Sequence, residues 1–223
     1  MVKIRWCGHN CFEITGKDVV IATDPFNGKM VGLVTPDICA DIIMSSHNHG
    51  DHWHKKTAEN MCNEGAEIIK WENKTFENIK GVKIKGVATA HDDNEGKSRG
   101  QNTVYVFTVD GLTLCHCGDL GHTLKDEQIK EIGKIDILLI PVGGIFTIDP
   151  KAATKVVEQL NPKLVIPMHY YHEGMASMFS ALSTIDDFIK DKKNIKKIDV
   201  SEAEVTKETL PTELEYWVLK PIV

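Results

Sequence analysis

Arginine is almost missing from this 223-residue chain: Arg5 and Arg99 are the only two. Lysines and arginines together number 26 against 32 aspartates and glutamates, for a net charge of −6, and the lysines are scattered. The basic stripe of a nucleic-acid binder is therefore lacking. Long apolar runs are lacking too. The longest, Ile135 to Phe146, is broken by an Asp, a Pro and two Gly and is too short to cross a bilayer, so no membrane partner is expected. The opening MVKIRWCGHN places polar groups at frequent intervals and has no apolar stretch before a small-residue cleavage site, which makes the cytoplasm the expected location. No C-x-x-C pair occurs, and the six cysteines are expected to remain thiols, with Cys115 and Cys117 packing on one strand face. No G-x-S-x-G turn occurs either, and no cysteine has a histidine partner of its own, which removes the usual nucleophile constellations.

What is present is a run of strand-like segments followed by helix–strand alternation. VKIRW, CFEIT and VVIATD are short β-type runs separated by turns, and ADIIMSS follows as another strand. KKTAENMCNEG is predicted as a helix stopped by Gly65. AEIIKW, VKIKGVATA, TVYVFTV and LTLCHC read as further strands. LKDEQIKEIG and DPKAATKVVEQLN carry helical spacing around the buried strand IDILLIPV. KLVIPMHY is another strand, and MASMFSALSTIDDFIKDK is predicted as one long helix. The stretch from Ser201 to Pro221 is expected to add an edge strand or wrap the surface. No Pro/Gly/Ser-rich linker divides the chain, so residues 1–223 are read as one α/β domain with a four-layer αββα architecture.

The densest feature is SSHNHGDHWH, four histidines and an aspartate within residues 45–54. It follows a strand and contains Gly50, a place where alternate side chains can turn inward. His47 and His49 can share one ligand set, and Asp51 and His52 can face a second position at the start of the next helix. A divalent zinc, manganese or iron ion needs several lone pairs converging at about 2.0–2.2 Å, and neutral imidazoles with carboxylates supply them. One hexapeptide cannot close such a site. His91, Asp119 and His169 each stand at the end of a separate strand-like run and are the remaining candidates.

The pattern H-x-H-x-D-H over 47–52, followed by His91, by Asp119 in CGD and by His169 in MHY, resembles the ligand set of the metallo-β-lactamase superfamily. ATDPF, with Asp24, resembles that family's early acidic motif, and residues 91–122 are similar to metal-dependent hydrolases of the L-ascorbate-6-phosphate lactonase-like subgroup. The resemblance implies an αββα sandwich. It implies that His47, His49 and His91 hold one metal, that Asp51, His52 and His169 hold a second, and that Asp119 bridges them. It also implies that Asp24 orients a ligand imidazole from behind. Two divalent ions are expected, zinc foremost, with manganese or iron as alternatives.

The expected chemistry is hydrolysis of a small anionic ester, a lactone or a phosphodiester, by a metal-bound hydroxide. Asp51 is the candidate to hold or accept the water proton as well as to coordinate. Arg99 is a candidate anion contact, weighed against pairing with Asp92, Asp93 or Glu95. Thr147, in PVGGIFTID, is a second candidate, weighed against a tight turn that caps the next helix through Asp149. His172 is a third; His54 flanks the ligands as His172 does, His122 is a candidate pocket wall, and Trp53, Tyr170 and Tyr171 are candidate cleft linings. His9 and His116 carry no assignment. Two other activities fit the ligand types: a mononuclear iron sulfur dioxygenase, and a non-catalytic metal- and metabolite-binding protein. A small molecule is the expected partner, and a strand edge at either terminus offers a route to a homo-oligomer.

Overall fold

Apolar residues alternate with polar ones along the first strand, where Val2, Ile4 and Trp6 are buried and Lys3 and Arg5 are not, so the strand turns one face inward. β1 (Val2–Gly8), β2 (Cys11–Thr15) and β3 (Val20–Thr23) form an antiparallel meander, after which α1 (Gly28–Val31) leads to β4 (Ala40–Ser45). The structure is a computed structural model that describes residues 1–222; Val223, the end of the expected domain, lies outside the described residues. β4 runs parallel to β3 and to β5 (Cys62–Lys70), with α2 (Lys55–Met61) as the crossover. The predicted helix up to Gly65 ends earlier, at Met61, because Cys62 already pairs with Ala40 of β4.

β6 (Thr75–Ile79), β7 (Val82–Ala90), β8 (Gln101–Val109) and β9 (Leu112–His116) start a second sheet as antiparallel neighbours. α3 (Asp126–Ile132), β10 (Ile137–Pro141), α4 (Pro150–Leu160) and β11 (Leu164–Met168) continue it in parallel. α4 shows how the sequence dictates the element. Asp149 accepts from the Ala152 N–H, Pro150 occupies the first turn, Ala153, Val156, Val157 and Leu160 form the buried stripe, and Asn161 ends the helix in the left-handed region.

The predicted long helix from Met175 to Lys192 is instead a single 3₁₀ turn, Ser177–Phe179, and a short α5, Ile185–Ile189. The helical apolar spacing is real, but Thr184 and Asp187 form a capping box that restarts the helix. Ser183 is held outside it, donating to the Gly143 carbonyl (2.7 Å) and accepting from Tyr171 N (2.9 Å). After β12 (Ile195–Ile198), the last stretch supplies two strands. β13 (Glu202–Val205) edges the first sheet beside β1, and β14 (Glu215–Leu219) inserts between β12 and β11.

The sheets have the orders β13-β1-β2-β3-β4-β5 and β12-β14-β11-β10-β9-β8-β7-β6. Their inner faces share an apolar cluster in which Ile4, Trp6, Phe12 and Ile14 of the first meet Val104, Phe107, Leu114 and Leu139 of the second. Each such side chain contributes about 1.5–3 kcal/mol when fully buried. Helices flank the two mixed sheets, giving the expected αββα class. Cys115 and Cys117 are buried in the shared core, and all six cysteines are free thiols. No described helix is long and apolar enough to cross a membrane. The turns after β1, β4, β7, β9 and β11 open at one rim of the sandwich, and this rim carries the histidines.

Candidate metal centre

Asp119 sits at the middle of the cluster. Its Oδ2 lies 3.0 Å from His52 Nε2, 3.2 Å from His91 Nε2 and 3.8 Å from His47 Nε2, and its Oδ1 lies 3.6 Å from His169 Nε2. Backbone and amide groups fix it there. The Asp119 N–H donates to Asn102 Oδ1 (2.9 Å), and Asn10 Nδ2 donates to Asp119 Oδ1 (2.8 Å). His47 Nε2 and His49 Nδ1 approach to 2.9 Å, so both face one point.

Three groups of side chains present donor atoms within 4.8 Å of one another: His47, His49 and His91; His9, Asp51, His52 and His169; and His47, His52 and Asp119. The structure thus brings together all seven residues read as ligands, with Asp119 within reach of members of the first two groups. It adds His9, which carried no assignment. His9 is buried in the β1–β2 turn at φ 51°, donates from Nε2 to Asp51 Oδ2 (3.2 Å), and packs its ring 4.1 Å from that of His169. The signal available in the sequence was a Gly-His-Asn turn closing a strand at the same rim.

Asp24 is buried behind the cluster and accepts from His52 Nδ1 (2.9 Å), Ser46 N (2.7 Å) and Ser46 Oγ (2.8 Å). Because a carboxylate only accepts, Ser46 spends its proton on Asp24 and accepts in turn from His47 Nδ1 (3.0 Å). Both His47 and His52 therefore present Nε2 toward Asp119, the tautomer a metal ligand needs.

The electrostatics fit a cation. Asp24, Asp51 and Asp119 have no lysine or arginine within 4.0 Å; every ion-pair partner they have is a histidine. His52 Nε2, His91 Nδ1 and both ring nitrogens of His169 are buried without a hydrogen-bond partner. Burial, reinforced by neighbouring imidazolium charge, lowers the pKa values of His47 and His169 to about 3, which keeps them in the neutral, ligating form. Burial opposes charge on His52 too, but the surrounding Asp119 and Asp51 carboxylates outweigh it and push this imidazole well above its ordinary value. Burial alone would raise Asp51 and Asp119, yet the adjoining histidines hold both far below the usual carboxylate range. The chain thus offers ionised carboxylates and the neutral lone pairs of His47 and His169 with no lysine or arginine among them, and a metal ion at the centre would displace the proton that the carboxylates hold on His52.

The cluster opens into a cavity of about 130 Å³ floored by His49, Asp51, His91 and Asp119, and a second cavity of about 240 Å³ adjoins it at His49 and Arg99. Arg99 is the only lysine or arginine lining either. Among the described residues no carboxylate lies within 4.0 Å of its guanidinium, which instead donates to the Ile145 carbonyl (3.0 Å). Asp92 is tied to Arg99 through the backbone, accepting from the N–H groups of Asn94, Gly96, Ser98 and Arg99 and so shaping the loop.

The other candidates lie elsewhere. Thr147 lines neither cavity and points its Oγ1 at the Ile148 carbonyl, while Asp149 caps α4. Gly143 approaches protein rather than ligand: a Cβ there would meet the His169 carbonyl oxygen at 2.1 Å. His172 packs edge-on against Trp6 and Tyr170, outside both cavities. His54 stands at the N-cap position of α2 without capping it and donates to the Thr57 side chain at Oγ1 (2.8 Å). His122 braces the end of β7 by accepting from Ala90 N (3.1 Å) and lines a separate cavity. His116 is buried and donates to the Asn10 carbonyl (2.9 Å). Trp71 lines the 240 Å³ cavity, whereas Trp53, Tyr170 and Tyr171 line neither.

A family model described as a β-lactamase superfamily domain matches residues 3–169. A UPF0173 metal-dependent hydrolase from Thermococcus onnurineus is 38% identical over 193 residues, covering 76% of this chain and 85% of that protein. One from Pyrococcus furiosus is 34% identical over 194 residues, with the same coverage. A crystal structure of a candidate zinc-dependent hydrolase of the metallo-β-lactamase superfamily from Thermotoga maritima aligns over 98% of both chains, at 34% identity and a TM-score of 0.78. With motif order, sheet topology and the rim cluster all in agreement, the chain belongs to the β-lactamase superfamily, within its UPF0173 metal-dependent hydrolase family.

Proposed function

We propose that this protein hydrolyses a small anionic ester, a lactone or a phosphodiester, at a centre holding two divalent cations. The observation that carries this reading is the position of Asp119 between two groups of donors that lack any lysine or arginine counter-charge. His47, His49 and His91 would hold one ion, and Asp51, His52 and His169 the other, with Asp119 shared. Zinc suits the imidazole–carboxylate set best, and manganese and iron suit it also. Such ions supply an acidified water and polarise the ester oxygen.

The chain's own groups do the rest. Asp51 is ionised and lines the cavity, where its carboxylate can hold the proton of an attacking water. Arg99, free of carboxylates and beside the cavity, can bind an anionic oxygen through its fork. Asp24 and Ser46 keep His52 and His47 turned toward the centre. Arg99 suits the anionic oxygen of either ester. A small-molecule substrate fits the cavity sizes, and nucleic acid does not fit the charge of −6.

The test is elemental analysis combined with assays on bis(p-nitrophenyl) phosphate and on a γ-butyrolactone bearing a ring carboxylate, both anionic, after separate loading with zinc, manganese or iron. Two metals per chain with turnover is the expected result. One iron with oxygen uptake on a persulfide would replace the reading with a dioxygenase, and full metal without turnover on either ester would leave a binding protein.

A further inference from the structure

The open face of the cavity is apolar. Met30, Phe146, Met178 and Phe179 complete the wall around the four ligand residues and Arg99. Met30 and Met178 are 37% and 52% exposed, and Ile145 beside them is 58% exposed. Large apolar side chains left in water around a polar centre mark a contact surface.

This lip is built by the fold. Met30 lies on α1, and Met178 and Phe179 lie on the 3₁₀ turn, Met178 being 148 residues later in sequence; the Ala176 N–H donates to the Val31 carbonyl (2.8 Å) and joins the two. Gly32 sits at the joint with φ 84°, and a Cβ there would meet Ala176 N at 2.3 Å, so the close approach requires glycine. Phe146 packs edge-on against Phe179 (6.1 Å), and the Arg99 guanidinium lies over the Phe146 ring (5.0 Å). One cation thus sits at the border between an apolar wall and a cavity lined by Asn48, Asn73, Gln101 and Thr103.

We infer that the substrate is amphiphilic. It carries an alkyl or aryl group that lies along Met30, Phe146 and Met178, an anionic oxygen held by Arg99, and a polar portion in the adjoining cavity. The enclosed space above the ligands is about 130 Å³, so the apolar group runs out along the open lip rather than into a closed tunnel. Flexible, polarisable methionines suit a lip that accepts chains of differing shape. The inference deepens the hydrolase reading and rests on it for turnover, while binding can be measured without turnover.

The probes are n-alkylphosphonates from methyl to hexyl, titrated calorimetrically into zinc-loaded full-length protein. Affinity is expected to tighten roughly two- to fourfold per methylene over the first three or four carbons. Met178→Ala and Met30→Ala should flatten that dependence, and Arg99→Ala should weaken every homologue by about the same factor. Melting curves check that each variant is folded, which the exposure of both methionines leads us to expect. An affinity independent of chain length, or a dependence unchanged in both methionine variants, would overturn the inference. In parallel, alkyl p-nitrophenyl phosphates of the same chain lengths, each a phosphodiester monoanion, are assayed for hydrolysis. Chain-dependent affinity without any turnover would sustain the lip and sink the hydrolase reading, whereas turnover with chain-independent affinity would do the reverse.

Discussion

His9 Nε2 lies 3.2 Å from Asp51 Oδ2, joining the β1–β2 turn to the ligand loop 42 residues later. The bond occupies one lone pair of a carboxylate that has three others and aims the remainder at the cluster. His9→Ala should therefore weaken metal binding at the position shared by Asp51, His52 and His169 by about 10–100-fold, the usual cost of losing a partner of a ligand. His9→Gln, whose amide can donate to the same oxygen, should recover part of the loss. Cobalt(II) titration followed by absorption reads the two positions separately. Equal affinities in wild type and His9→Ala would show that this contact does not position Asp51.

Arg99 should govern recognition of the anionic group. Losing a charge-assisted hydrogen bond of about 1.5–3 kcal/mol raises KM roughly 10- to 100-fold, with a smaller change in kcat. Arg99→Lys should recover little, since an ammonium lacks the planar fork. A KM unchanged in Arg99→Ala on both ester classes would remove this residue from the site.

Asp92 makes the loop that delivers Arg99 sensitive to pH. Burial opposes the charge, but four backbone N–H groups favour it more and lower the pKa to about 2, below the unfolded value of about 3.9. The folded form is thus the stronger acid. The stabilisation is complete above about pH 4 and is lost as pH falls toward 2. Proteolytic cleavage between Asn94 and Arg99 should rise over that interval in the wild type. Asp92→Asn should be cleaved readily at every pH and should show a raised KM. Matching cleavage profiles for the two proteins would exclude the carboxylate as the organiser of the loop.

Chelation should destabilise the fold without erasing it. Removing cations leaves ionised Asp51 and Asp119 among buried imidazoles, while the shared apolar core is untouched. Metal at 100 times its Kd contributes about 2.7 kcal/mol, or roughly 5–10 °C in Tm for a chain of this length. Calorimetry with and without chelator measures the shift, and a Tm indifferent to chelator would argue against resident ions.

The proposed ligands stood out in the sequence because they fall in loops that follow strands and the types repeat: His47, His49, Asp51 and His52 in one loop, then His91, Asp119 and His169. Residues that organise the ligands were not readable, because their partners are remote. Asn10 and Asn102 reach Asp119 across 109 and 17 residues, and nothing local distinguishes them from turn or strand polar groups. The same holds for the lip, where Val31 meets Ala176. The helix expected over 175–192 failed for two reasons: Thr184 and Asp187 cap a new helix locally, and the Ser183 backbone is held by Gly143 and Tyr171, partners remote in sequence. Arg99 stood out in the sequence by rarity alone; its lack of a carboxylate partner became visible only in three dimensions.

Gly143 gives the sharpest separation between scaffold and site. His169 follows β11 at φ 51°, and its carbonyl presses so close to Gly143 that a Cβ there would stand 2.1 Å from the oxygen. Gly143 also accepts from Ser183 N, so it cannot retreat without breaking the tie to the segment that carries the lip. Gly143→Ala must move the His169 backbone, at a cost of about 1–3 kcal/mol from overpacking. The imidazole moves with it, so affinity for the metal that His169 shares with Asp51 and His52 should fall along with Tm. Gly144→Ala is the control: its φ of 68° is strained for alanine, but a Cβ there meets nothing nearer than 3.4 Å. It should lower Tm and leave metal affinity alone. Equal losses of metal affinity in the two variants would mean that the effect is general loosening of the turn and not displacement of His169.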